Sequence, residues 1–261
     1  MDKKDIFRLA GDPRFISGIY NYCDRWCERC PFTSRCLTYA IDEKDIDDPA
    51  SRDINNEKFW KNLEEIFKQT SEMIMEIAKE KGIDSSSIDV DEISKKLDSQ
   101  MAEADNHELC IAARRYGKEV SKWFEKEQWM FEKKEEELNS LLNIGIGENR
   151  VQAEAAGIKD AMDVIHWYQH QIYVKLKRAL VKDDSIDEEE ILINDANGSV
   201  KVALIGMDRS IGAWGKLHEF FPEKTNAILD ILLHLDRLRR RTEELFPQAR
   251  SFKRPGFDTI N

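Results

Sequence analysis

The stretch ILINDANGSVKVALIG, residues 191–206, decides between two fold classes. Read with a period of two, Ile191 to Ile193 and Val200 to Val202 flank Asn197-Gly198, the dipeptide that favours a tight hairpin turn. Read with a period of 3.6, Val200, Ala203, Met207, Ile211, Trp214 and His218 share one face behind Ser199, a residue suited to a helix N-cap. Strand alternation fails after Ala203, whereas the helical spacing continues. Helix is therefore the reading adopted at 191–205, with the hairpin as its competitor.

Working outward, the same period dominates. Towards the C-terminus Pro222 interrupts, and a last helix is expected from Glu223 to Phe246. Towards the N-terminus an acidic loop is expected at 183–190, preceded by a helix over 151–182 with Val151, Ile158, Ala161, Ile165, Ile172, Leu176 and Leu180 inward. Gly145 and Gly147 mark a turn. Before them one long helix is expected over 91–143, apolar on two sides: Ile93, Leu97, Met101, Ala104 and Ile111 on one, Leu109, Ala113, Tyr116, Val120, Trp123 and Phe131 on the other. Such a helix needs two partners, supplied by neighbouring helices or by a second subunit, so a homodimer is one outcome. A further helix over 59–81 carries Phe59, Leu63, Ile66, Phe67, Ile74 and Ile77 in a single stripe, closed by Gly82, with Ser85 to Ser87 offering N-cap oxygens to the next.

The composition agrees. The chain has 261 residues, 35% of them charged, with only 12 Gly and 6 Pro, which favours long amphipathic helices. The expectation is an all-α protein: a short N-terminal cysteine-rich module at 1–41, a linker at 42–57, and a helical bundle at 58–261 ending in a basic tail. Its length is ample for a core, so a small disulfide scaffold is excluded. Neither a run of roughly 18 apolar residues nor an apolar leader is present, so a cytoplasmic protein with no membrane partner is expected. The net charge of -11 disfavours nucleic acid except at a local basic patch.

Four of the five cysteines, Cys23, Cys27, Cys30 and Cys36, form the pattern C-x3-C-x2-C-x5-C. Four thiolates match the ligand set of an all-cysteine zinc site or of an iron–sulfur cluster. Either centre would carry a charge of about -2, which Arg25, Arg29 and Arg35 could partly offset. The competing reading, disulfides or free thiols, lacks a secretion signal to support it. The tight run with Pro31 after Cys30 leans towards iron. The portion CERCPFTSRC, residues 27–36, also resembles the C-x2-C-x5-C iron–sulfur knot of RecB-like nucleases and the similar knot of SPASM domains. In both families these cysteines bind a 4Fe-4S cluster with further cysteines from elsewhere in the chain; here Cys23 would supply the fourth locally. The resemblance covers ten residues and implies a 4Fe-4S cluster, with Zn2+ as the alternative. It does not imply nuclease activity, because no strand-borne Asp followed by Glu-x-Lys is found. The first three cysteines have the spacing of radical-SAM enzymes too, but Cys36 would close the iron that those enzymes keep open, and the alternating strands are missing. Cys110 reads as a small packing residue.

Outside the cysteines the chemistry is sparse. No Glu-x-x-His of the di-metal oxidases occurs; Asp163 with His166, His166 with His170, Glu103 with His107 and Asp230 with His234 are the nearest approaches, read as peripheral. Glu108, Arg115, Glu154, Gln169 and Arg239 project near the centres of apolar stripes and call for partners in an internal network, or else line a polar pocket. Residues 237–254 hold seven basic and two acidic residues, a net +5 that leaves -16 elsewhere; pairing of Arg239 with the acidic bundle is expected, with Arg240 and Arg241 in solvent. Three function classes follow: a non-catalytic metal-binding protein that binds a protein partner or small ligand or senses redox state, a metalloenzyme, and a nucleic-acid-associated factor docking through the tail.

Overall fold

A computed structural model describes residues 8–9, 11–43, 55–82, 89–145, 147–181 and 189–258. The protein is all-α: seven helices and several 3₁₀ turns, with no strand among the described residues. The helices are α1 (Leu37–Glu43), α2 (Glu57–Glu80), α3 (Val90–Asn106), α4 (Glu108–Asn143), α5 (Glu148–Leu180), α6 (Glu189–Phe220) and α7 (Thr225–Leu245). Two compact units divide the chain: residues 98–253 form one, and residues 1–97 together with 254–261 form the other.

The larger unit is a ring of four helices in which α4 packs on α5, α5 on α6, α6 on α7 and α7 on α4. Each neighbour runs antiparallel to the last. Along α5 and α6, Gly157 faces Phe220 and Tyr168 faces Gly206; along α4 and α7, Glu108 meets Arg241 and Glu127 meets Lys224. Short connections between such helices leave no other order. Tyr116, Trp123, Ile165, Tyr168, Leu204, Met207, Trp214, Leu217, Ile228 and Leu235 fill the centre. Trp123 and Trp214 meet edge to face at 4.9 Å, and the Trp214 indole N–H donates to Tyr116 Oη at 3.2 Å.

Helix α6 runs unbroken through Asn197 and Gly198. A glycine inside a helix costs about 1 kcal/mol, whereas Val200, Leu204 and Met207, all fully buried, each contribute roughly 1.5–3 kcal/mol by leaving water. Burial on a helical face decides the conformation. Ser199 is consequently mid-helix rather than an N-cap, and its Oγ is buried with no hydrogen-bond partner. Glycine at 206 has a further purpose: a Cβ there would sit 2.9 Å from Tyr168 Cδ1 and 3.3 Å from Ile172 Cγ1. Arg209 donates to the Tyr168 hydroxyl and holds that ring in place.

The expected helix over 91–143 is instead two, α3 and α4. His107 adopts an extended conformation, and its Nδ1 accepts the Leu109 backbone N–H at 3.2 Å, which caps α4. Asp105, just before the break, accepts from Lys177 Nζ at 2.8 Å and from the Tyr173 hydroxyl, while its backbone carbonyl accepts from Arg114 at 2.5 Å. The Lys177 and Tyr173 hydrogen bonds hold the Asp105 carboxyl below its ordinary pKa. The α5 contacts satisfy the Asp105 charge, and Arg114 of α4 satisfies its backbone carbonyl. Helix α3 is capped by Asp89, whose Oδ1 accepts the Glu92 N–H at 3.0 Å; the serines at 85–87 and most of the acidic loop lie outside the described residues. Gly82 and Gly145 adopt left-handed conformations at the turns expected of them.

We expect Gly206→Ala to lower stability by about 1 kcal/mol, because overpacking against Tyr168 outweighs the gain in helix propensity. Gly212→Ala, with open space around the new methyl, should raise it by up to about 1 kcal/mol. Urea denaturation of both variants measures the contrast, and equal effects would contradict it.

Candidate metal centre

The cysteine module is built from three 3₁₀ turns, Ile19–Tyr22, Cys27–Arg29 and Thr33–Arg35, followed by α1. The turns place the cysteines at their edges. Cys23 ends the first; Cys27 opens the second and Cys30 closes it, donating its N–H to the Cys27 carbonyl at 3.1 Å; Cys36 closes the third by the same bond to Thr33 at 3.2 Å. The x3 spacing between Cys23 and Cys27 is absorbed by Arg25, at φ +58 the only non-glycine residue with positive φ among those described. Asp24 supports this bend by accepting the Trp26 N–H at 3.3 Å.

All four cysteines line one cavity of about 30 Å³. Its wall includes Ile19, Tyr20, Trp26, Tyr39 and Phe257. None of the four is in a disulfide. The thiols share the cavity without converging on a point: among the described residues no three His, Cys, Asp or Glu side chains are close enough to grip an ion as placed. They do feel one another. Burial, and then the neighbouring cysteines, push the Cys27 thiol above its ordinary pKa. Burial also raises Cys30, opposed by the Phe32 N–H, which donates to Cys30 Sγ at 3.4 Å. A backbone N–H on sulfur favours the thiolate, the form that binds metal. Of the three arginines considered as counter-charges, Arg25 lines the cavity, Arg29 stacks on Trp26 at 4.0 Å from the ring centre, and Arg35 is exposed.

The sequence reading missed the part supplied by residues 254–258. Phe257 walls the cavity and meets Phe32 edge to face at 4.9 Å. Gly256, at φ +78, passes so close that a Cβ would lie 2.9 Å from both Ile16 and Ile19. Arg254 pairs with Asp258 at 3.0 Å and stacks on Phe257. Pro255-Gly256 was a legible turn signal; what that turn packs against was not.

The other candidate residues are dispersed. His107 caps α4; His166 leans on Phe124; His218 bonds Thr225; His234 donates to the Ala112 carbonyl at 2.9 Å, with Glu119 3.6 Å from its Nδ1. Among the stripe-centre residues, Glu154 pairs with Lys134 at 2.7 Å, Arg239 with Asp236 at 2.6 Å, and Gln169 keeps a buried oxygen with no partner. Glu108 and Arg115 are exposed rather than internal, because their arc of α4 faces an open groove between α4 and α7 instead of a packed helix. An ion pair that the sequence reading did not single out joins the buried Glu127 to the partly buried Lys224 at 2.5 Å. In the tail, Arg239 and Arg250 pair with Asp208, and Arg240 with Asp236. Arg240 and Arg241 are exposed, as expected, and Arg241 also bridges to Glu108 at 2.7 Å, which ties α7 to α4.

Compared with protein-family models, curated proteins and solved structures, the chain matches none. Among the described residues no helix is long and apolar enough to cross a membrane.

Cys110 is fully buried, and burial pushes its thiol up to about 11. With chelator and reductant present and then removed, we expect a thiol reagent to modify four cysteines per native chain and the fifth only after denaturant. Early loss of the Cys110 thiol, followed by peptide mapping, would contradict this placement.

Proposed function

We propose that Cys23, Cys27, Cys30 and Cys36 hold one thiolate-bound metal centre, a 4Fe-4S cluster, in a non-catalytic protein whose helical bundle serves partner or ligand binding. The observation that carries this reading is the gathering of four unbridged thiols around a single cavity with an aromatic wall. Soft thiolates select iron–sulfur clusters or zinc over hard cations. Four cysteines for four irons leave no iron open to a substrate, which favours a structural or redox-sensing role over catalysis. When bound, such a centre supplies one-electron chemistry; the chain's own contribution is the N–H of Phe32 on sulfur and the apolar wall that limits water around it.

Zinc is the second reading, and the small cavity favours it: about 30 Å³ is close to the share of one water molecule. The dispersal of the histidines supports no di-metal oxidase, and the pairing of the tail arginines with carboxylates weighs against a nucleic-acid surface there. A cytoplasmic setting suits four reduced thiols.

Anaerobic purification followed by metal and sulfide analysis tests the proposal. About four iron and four acid-labile sulfide per chain are expected, with about one zinc pointing to the second reading. Cys36→Ser should release the centre, and full metal occupancy in that variant, or no metal in the parent, would sink it. Arg239→Ala should lower the melting temperature while nucleic-acid affinity stays negligible; salt-sensitive binding of DNA or RNA lost on replacing Arg240 and Arg241 would promote the tail instead.

A further inference from the structure

The open groove between α4 and α7 has a volume of about 720 Å³. Its floor is apolar, built from Leu109, Ala112, Trp123, Ile231 and Leu238, and Leu233 stands half exposed at its edge. Its charges are unbalanced. Glu108 is neutralised by Arg241 and Glu119 by Arg115, whereas Lys122 and Arg237 form no ion pair among the described residues and Lys126 reaches Glu127 only at 3.9 Å. Asp230 is the single carboxylate left to oppose them. A cleft between two antiparallel helices, apolar below and basic at the rim, fits a third helix with an apolar stripe and acidic borders.

Helix α2 answers that description. None of its residues is buried, and Trp60, Ile66, Phe67, Ile74 and Ile77 are exposed. At 100° per residue Phe59, Leu63, Ile66, Phe67, Ile74 and Ile77 make one stripe, bordered on one side by Glu64 and on the other by Lys58, Glu76 and Glu80, while Glu57 pairs with Lys61 at 2.8 Å. Lys61, Lys68 and Lys79 fall on the far side. Its 24 residues span about 36 Å, and the groove, followed along α4 from Glu108 to Lys126, about 27 Å. An exposed apolar face of this extent marks an interaction surface.

We propose that the groove between α4 and α7 seats helix α2 of a second copy of this chain, so that two copies each give and receive one helix. Because every chain carries both the seat and the helix, the exchange closes as a two-fold dimer and leaves neither surface over. The apolar stripe supplies the contact and the rim cations fix its orientation by facing Glu64, Glu76 and Glu80.

Sedimentation equilibrium of the full chain tests this. A dimer is expected at tens of micromolar, twice the 30.5 kDa of one chain. The double variant Ile66→Glu with Phe67→Glu on α2, and separately Lys122→Glu with Arg237→Glu in the groove, should each weaken the dimer at least tenfold. All four positions are exposed, so circular dichroism should remain helical. Combining the groove reversal with Glu64→Lys and Glu76→Lys should restore the dimer. A monomeric parent, or a dimer untouched by either double variant, overturns the proposal.

Discussion

The closeness of α5 and α6 governs the larger unit. Where Gly206 lies against the ring of Tyr168, the two helices approach to a distance that tolerates no side chain between them. That contact only exists if residues 197–206 are helical, since a hairpin there would turn Val200, Leu204 and Met207 away from one another. The most polar and turn-prone dipeptide of the region, Asn197-Gly198, is thereby carried into the interior of a 32-residue helix. Local preference is worth about 1 kcal/mol per residue, and several buried apolar side chains outweigh it. Trp214, one turn and more beyond, then reaches Trp123 and Tyr116 from the same face, which brings α4 into the ring.

Periodicity made the helices legible, and it failed where a single residue's hydrogen bonding mattered more than its hydropathy. Nothing in the spacing of 91–143 marks a break, because apolar residues continue on both sides of it. The break is made by the His107 ring accepting a backbone N–H and by Asp105 engaging Lys177 and Tyr173 from far along the chain. Likewise Ser199 has the chemistry of an N-cap and the burial of a core residue. A helical wheel also treats an apolar stripe as one buried arc. Glu108 and Arg115 fall on the stripe of α4 yet are exposed, since part of that arc borders a groove rather than a neighbour.

For the site, spacing named the four cysteines and could not name their enclosure. Tyr20, Trp26 and Tyr39 are close enough in sequence to be suspected; Phe257 is not, and only the fold brings it there. The basic tail illustrates the converse. Counted as charge, residues 237–254 look like a docking surface, but Asp208, Asp236, Glu108 and Glu243 take up most of that charge in pairs. Exposed pairs of this kind are each worth at most about 1 kcal/mol, so their effect lies less in stability than in cancelling the long-range field a nucleic acid would feel.

Walling the cysteine cavity with residues 254–258 couples the site to the order in which the polypeptide is made. Cys36 leaves the ribosome with its three partners early, while Phe257 and Gly256 follow only after every helix of the bundle has been synthesised. During that interval Tyr20, Trp26 and Tyr39 are already in the chain, and Phe257 is the one aromatic ring of the wall still to come. The wall around the four thiols is thus completed by the last-made part of the chain, when residues 254–258 close over Ile16 and Ile19.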